Sequence, residues 1–182
     1  MRPDTVVRRW IGAVGTGVLL ACLAVLPGPV AAQDAPDVLT ESYRDWTLTC
    51  RAAATPDTQA PHCEIAQELE AETGQRLLRM ALEVSDPTGA AVTLVTPFGA
   101  RVMDGVGISS EGTELMRIDF LTCLSGGCVA TGVLDAATVS AMSAANSATV
   151  SMSSTNGDEV QVNISLSGFG AAWRRLTDLS PK

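Results

Sequence analysis

Cys50, Cys63, Cys123 and Cys128 are the residues whose type and spacing speak most directly of a chemistry. Thiols can bind metal, shuttle electrons or close disulfides. Cys123 and Cys128 are separated by four residues, two of them glycines. Redox catalysts of the thioredoxin type use a two-residue spacer leading into a helix. Here the flanks are strand-like, so the pair reads as structural. Four cysteines allow three pairings. Cys50–Cys63 with Cys123–Cys128 is favoured, because each pair bridges a turn-rich connection between successive strands. A bridge from Cys50 to Cys123 of the immunoglobulin type is disfavoured, since no tryptophan lies between them.

Other reactive side chains are scarce. His62 is the one histidine and Lys182, at the end of the chain, the one lysine. Zinc sites built from several histidines are excluded. A Ser-His-Asp triad would have to use His62, with no serine-bearing elbow to accompany it. Gly105-Val106-Gly107 lacks the third glycine, the strand–helix context and the lysine of a phosphate-cradling loop. Carboxylates are plentiful, but hydrolysis by two of them needs a defined separation across a cleft, and no such pairing is visible. Glu68, Glu70 and Glu72 alternate along one short segment and read as a solvated face. No EF-hand spacing is present. No cofactor or metal is expected. Asn163-Ile164-Ser165 matches a glycosylation sequon by chance, inside a strand pattern.

The fifth cysteine, Cys22, sits in the N-terminal segment. Arg8 and Arg9 precede an uncharged run whose apolar heart is Ile11 to Leu26; Pro27-Gly28-Pro29 and the small residues Val30-Ala31-Ala32 follow. This is the layout of an export signal over residues 1–32, cleaved near Ala32. Two alternatives are an uncleaved anchor and a lipid on Cys22, where Leu19-Leu20-Ala21-Cys22 is a poor lipoprotein match. Removing the signal leaves an even cysteine set for an oxidising compartment, and a periplasmic, secreted or outer-surface location is expected. The chain has a formal net charge of −8, and the segment takes away Arg2, Arg8 and Arg9 against Asp4 alone. So acidic a remainder repels nucleic acid and anionic lipid. Contact with membrane is expected only through the signal or the lipid.

These residues must be positioned by strands. Residues 33–42 read as a flexible N-terminal tail and 43–179 as one domain. Trp46, Leu48 and Cys50 alternate with polar neighbours, as do Leu78, Met80, Leu82 and Val84, and Val160, Val162, Ile164 and Leu166. Cys63 onward, Ala91–Thr96, a resumed strand at Ala100–Met103, Glu114–Cys123 and Cys128–Leu134 supply more, with Asp104-Gly105 as a hairpin turn. Asp135 is an acceptable N-cap for a short Ala-rich helix. Phe169, Ala172, Trp173, Leu176 and Leu179 fall at helical spacing. About nine short strands with a terminal helix predict an all-β, antiparallel β-sandwich.

Tyr43-Arg44-Asp45-Trp46-Thr47-Leu48-Thr49-Cys50, Cys63-Glu64-Ile65-Ala66-Gln67, Pro97-Phe98-Gly99, Phe120-Leu121-Thr122-Cys123-Leu124-Ser125-Gly126-Gly127-Cys128 and Leu166-Ser167-Gly168-Phe169 together resemble the invasion-associated locus B family of bacterial exported proteins. The resemblance runs from about Tyr43 to Leu176. It implies an immunoglobulin-like β-sandwich outside the cytoplasm with the four cysteines oxidised, and core aromatics at Trp46, Phe169 and Trp173. It brings no catalytic residue and no cofactor.

The expected function is a non-catalytic binding module of the cell envelope, with a link to host-cell invasion through the resemblance. The partner is an unidentified protein or envelope component. A carboxylate-dependent envelope hydrolase and a purely structural envelope protein are the alternatives. Recognition residues concentrate on sandwich loops, and the stretch Pro97–Gly112 offers Phe98, Arg101 and Asp104 as a contact loop. Single apolar residues near turns commonly serve packing, so a buried Phe98 between two hairpins is the first expectation and the contact loop the second.

Overall fold

The structure, a computed structural model, describes residues 38–52, 61–85 and 89–180. The export segment, Cys22, Lys182 and the turn at 86–88 lie outside the described residues. Strands β1 (Val38–Tyr43), β2 (Trp46–Arg51), β3 (His62–Glu70), β4 (Arg76–Val84) and β5 (Ala90–Thr96) form an antiparallel meander. β9 (Gly127–Leu134) and β8 (Phe120–Leu124) extend it to a seven-stranded sheet of order β1-β2-β3-β4-β5-β9-β8. β6 (Val106–Ser110), β7 (Thr113–Ile118), β10 (Ser147–Ser153) and β11 (Glu159–Ser165) make a four-stranded sheet of order β11-β10-β6-β7. Helix α1 (Ala136–Ala144) connects β9 to β10, and α2 (Phe169–Leu179) ends the domain.

The period-two pattern explains the layers. Trp46, Leu48, Ile65, Met80, Leu82, Val92 and Leu94 from the large sheet share one buried cluster with Val106, Ile108, Val150 and Ile164 from the small one. Each such side chain removed from water contributes about 1.5–3 kcal/mol. Phe169, Ala172 and Leu176 bring the apolar stripe of α2 into the same cluster. The rings of Trp46 and Phe169 meet edge to face at 5.0 Å. Trp46 and Phe169 are thus core residues as the resemblance implied, whereas Trp173 is half-buried at the margin. Asp135 caps α1, its carboxylate accepting from the Thr138 N–H at 2.7 Å. That bond holds the Asp135 carboxyl below its ordinary range.

Three expectations are corrected. Val38–Ser42, read as part of a loose tail, pairs along its length with β2, because its apolar residues find the open edge of that strand. Glu114–Cys123 is not one strand. The chain leaves the small sheet after Ile118 and enters the large one at Phe120, with Asp119 as the crossing. A period-two pattern cannot mark this switch, because alternation continues through it. Ala100–Met103 is not a strand either. Ala100 makes one bridge to Ser154, and Val102–Asp104 is a single 3-10 turn. Asp104-Gly105 therefore delivers the chain into β6 instead of closing a hairpin.

Both disulfides join directly opposed residues of neighbouring strands. Cys50 faces Cys63 across β2 and β3, with Cα atoms 4.0 Å apart. Cys123 faces Cys128 across β8 and β9 at 3.9 Å. The first lies in the core and the second closes a hairpin whose Cys123 is exposed. Such bonds form and persist in oxidising compartments. Among the described residues no helix is long and apolar enough to cross a membrane.

Candidate contact site at the open end of the sandwich

The inner face of the small sheet runs out at Met152 and Val160, which oppose each other across β10 and β11. Beside them the segment after β5 leaves a cavity of about 280 Å³ lined by Pro97, Phe98, Gly99, Ala100, Met152, Ser154, Thr155, Asn156 and Val160. Its floor is the buried Met152, and Ser154, Thr155 and Asn156 form a polar rim.

Local backbone bonds hold this lip in place. The Arg101 N–H donates to Ser153 O at 2.8 Å, and the Thr155 N–H donates to Gly99 O at 2.8 Å. The Asp104 N–H donates to Arg101 O at 3.1 Å, closing the 3-10 turn. The Arg117 guanidinium donates to Asp104 O at 3.2 Å and pairs with Glu114. Gly105 turns out of the loop with φ 68°, where an added Cβ would meet Ile118 O at 2.8 Å.

Phe98 is 64% exposed. The buried Phe98 expected from sequence is therefore overturned, because the segment after β5 crosses the rim of the core without entering it. Met103, on the 3-10 turn, is 90% exposed, and Val102 and Val160 are also open. Of the three residues singled out in this loop, only Phe98 lines the cavity. Arg101 and Asp104 sit beside it in a loose ion pair of 3.8 Å, a geometry that contributes little at a surface. Sequence reading missed Met103, Val160, Met152 and the Ser154–Asn156 turn. The sequence places Met103 at the end of a strand that does not form. Val160 alternates with polar neighbours just as Ile164 and Leu166 do, yet it is exposed where they are buried.

Elsewhere several carboxylates are engaged. Glu68 pairs with Arg76, Glu64 with Arg79 at 2.6 Å and Glu83 with His62 at 3.3 Å. Glu41 accepts from Arg175 at 2.8 and 3.0 Å and from the Tyr43 hydroxyl at 2.6 Å. The Arg175 guanidinium, then the Tyr43 hydroxyl, lower its pKa to about 2. A general acid needs the opposite displacement. The same contact raises the Tyr43 phenol. Among the described residues no group of three or more His, Cys, Asp or Glu is placed to hold a metal ion.

Comparison with known proteins agrees with this architecture. The profile described as invasion associated locus B (IalB) protein matches residues 46–177. Two invasion protein B homologs of Brucella abortus, from strain 2308 and from biovar 1 strain 9-941, are each 34% identical over 166 residues, covering 89% of this chain and 89% of theirs. The crystal structure of an invasion associated protein B from Bartonella henselae superposes with a TM-score of 0.71 at 21% identity, covering 78% of this chain and 96% of that one.

Proposed function

The chain belongs to the invasion associated locus B family, and from that premise we propose that it is an exported envelope protein that acts by contact. Its docking face is the open end of the sandwich, and its partner is a protein of the bacterial envelope or of a host cell surface. The observation that carries this reading is the exposure of Phe98 and Met103 on a loop held by backbone hydrogen bonds. Exposed aromatic and methionine side chains on an ordered platform are what interface centres are made of. The cavity is at the small end of pockets that enclose organic ligands, and its size suits a single apolar side chain of a partner. The names of the Brucella and Bartonella relatives refer to invasion, which supports a role in host contact. The pair of disulfides supports work in the periplasm, at the surface or in the medium.

Crosslinking in intact cells followed by mass spectrometry tests this. Partner peptides are expected to map to Phe98–Asp104 and Ser154–Asn156. A Phe98→Ala, Met103→Ser variant is expected to be exported at the wild-type level and to lose those crosslinks. Equal recovery of partners by variant and wild type would remove the open end from consideration.

A further inference from the structure

The two disulfides differ in what surrounds them. Cys50 and Cys63 are 6% and 7% exposed and join two interior strands of the large sheet. Cys128 is buried too, but its partner Cys123 is open to solvent on β8, an edge strand. Exchange needs a thiolate to approach one sulfur, and exposed disulfides are the labile ones. The Cys123–Cys128 bond also closes the shorter loop, 5 residues of separation against 13, so less loop-closure entropy opposes its opening.

The two strands it joins are held unequally. Leu121, Thr122, Cys123 and Leu124 are all exposed, and the ladder from β8 to β9 shifts register between Phe120 and Thr122. β9 is held from its other side. Cys128 opposes Thr96 of β5, whose buried hydroxyl donates to Cys128 O at 3.4 Å. Gly127 lies so close to the same residue that an added Cβ would meet Thr96 O at 2.2 Å. When the bond opens, β8 is therefore the strand that moves.

We propose that Cys123–Cys128 is a thiol-exchange site, opened by a partner carrying a dithiol, and that opening it frees β8 while Cys50–Cys63 keeps the core closed. The bond itself sets the partner's chemistry, because exchange needs a thiolate. A thiolate of the partner attacks Cys123 Sγ. The sulfur–sulfur bond breaks, Cys128 leaves as a thiolate and takes up the proton that the partner's thiol gave up, and a mixed disulfide joins Cys123 to the partner. The partner's second thiolate then attacks its own sulfur in that bond, and Cys123 leaves and is protonated in the same way. Two electrons have passed to this chain, and the partner's dithiol has become a disulfide. The pair is the substrate of exchange and not its catalyst, since it lacks the two-residue spacer and the helix that depress a thiol pKa. The partner's place in the envelope rests on the export proposed above; the chemistry at Cys123 does not.

Graded exposure of the native oxidised protein to dithiothreitol, itself a dithiol, followed by alkylation and peptide mapping, tests the proposal. Cys123 and Cys128 are expected to be alkylated about tenfold faster or more than Cys50 and Cys63. In protein reduced at this bond alone, amide hydrogen exchange is expected to quicken across β8 and to stay unchanged in β2 and β3. Cys128→Ser leaves Cys123 free and is expected to take up glutathione from glutathione disulfide. Cys123→Ser, whose remaining thiol is buried, is expected to do so about tenfold more slowly or less. Four thiols appearing together, or Cys50–Cys63 opening first, overturns the proposal. So does β8 exchange that reduction leaves unchanged, or uptake by Cys128→Ser no faster than by Cys123→Ser.

Discussion

Gln67 and Ser165 bond to each other as two paired strand residues would. The Gln67 Nε2 donates to Ser165 O at 3.0 Å, and the Ser165 N–H donates to Gln67 Oε1 at 3.0 Å. The side chain of β3 thereby extends a ladder to the end of β11, in the other sheet. The same Nε2 donates to Asp45 O at 3.0 Å, and the Trp46 indole donates to Ser165 O at 2.9 Å. Gln67 is buried, so its full set of partners is what makes a polar group tolerable there.

Gln67→Leu keeps the volume and removes the pairing. It leaves the Ser165 N–H and the Asp45 carbonyl short of a partner at a partly buried place. A loss of about 2–4 kcal/mol in urea unfolding is expected. A loss below ~0.5 kcal/mol would mean that water replaces the amide without cost.

The Glu41–Arg175 pair fastens the first strand to the last helix. The folded pKa of Glu41 lies near 2, against an ordinary 4.5. Its contribution to stability is complete above the ordinary value, declines as pH falls below it, and is gone once pH passes below about 2. Glu41→Gln is expected to flatten this part of the stability–pH curve and leave the neutral limb parallel to wild type. Unchanged acid sensitivity in the variant would assign it to other carboxylates.

Gly168 precedes α2 with φ 89°, and a Cβ there would collide with the carbonyl of Tyr43. Gly168→Ala therefore strains the backbone and pushes β1 away from the helix. A cost of about 2–4 kcal/mol, seen as a lowered Tm, is expected. Gly157 has a similar φ of 91° but open space around it, so Gly157→Ala is expected to cost about 1 kcal/mol. Equal losses at the two sites would show that φ alone matters.

The disulfides differ in the length of chain they close, 13 residues of separation against 5. Loop-closure entropy assigns about 3 kcal/mol to Cys50–Cys63 and about 2 kcal/mol to Cys123–Cys128. Replacing each pair by alanines and measuring Cm is expected to reproduce that order, with the buried pair adding the loss of its core contacts. The reverse order would count against an entropic account.

Much of the fold was legible because local rules decide it. Residues 169–179 show helical spacing and form α2; Asp135 is a capping residue and caps α1. The cysteine pairs are those that close neighbouring strands, because opposed positions across a tight connection meet as soon as the strands register. The Asp104-Gly105 dipeptide misled, since the φ it supplies serves a 3-10 turn as well as a hairpin. The crossing at Asp119 was invisible, because alternation is blind to which sheet a strand joins.

What the sequence by itself determined is the alternation, the caps, the oxidised cysteines and the family, all of which depend on near neighbours or on a linear match. The tertiary structure alone decided which side chains remain uncovered. Phe98 lies at the rim because the segment after β5 is bonded to Ser153 and Thr155 and does not enter the core, and Leu124 is exposed on the edge strand β8. Gln67 is polar in a core position because a backbone 98 residues away needs it. Each of these depends on where a layer ends, and a layer's end is a property of the packed sheets and not of any segment within them.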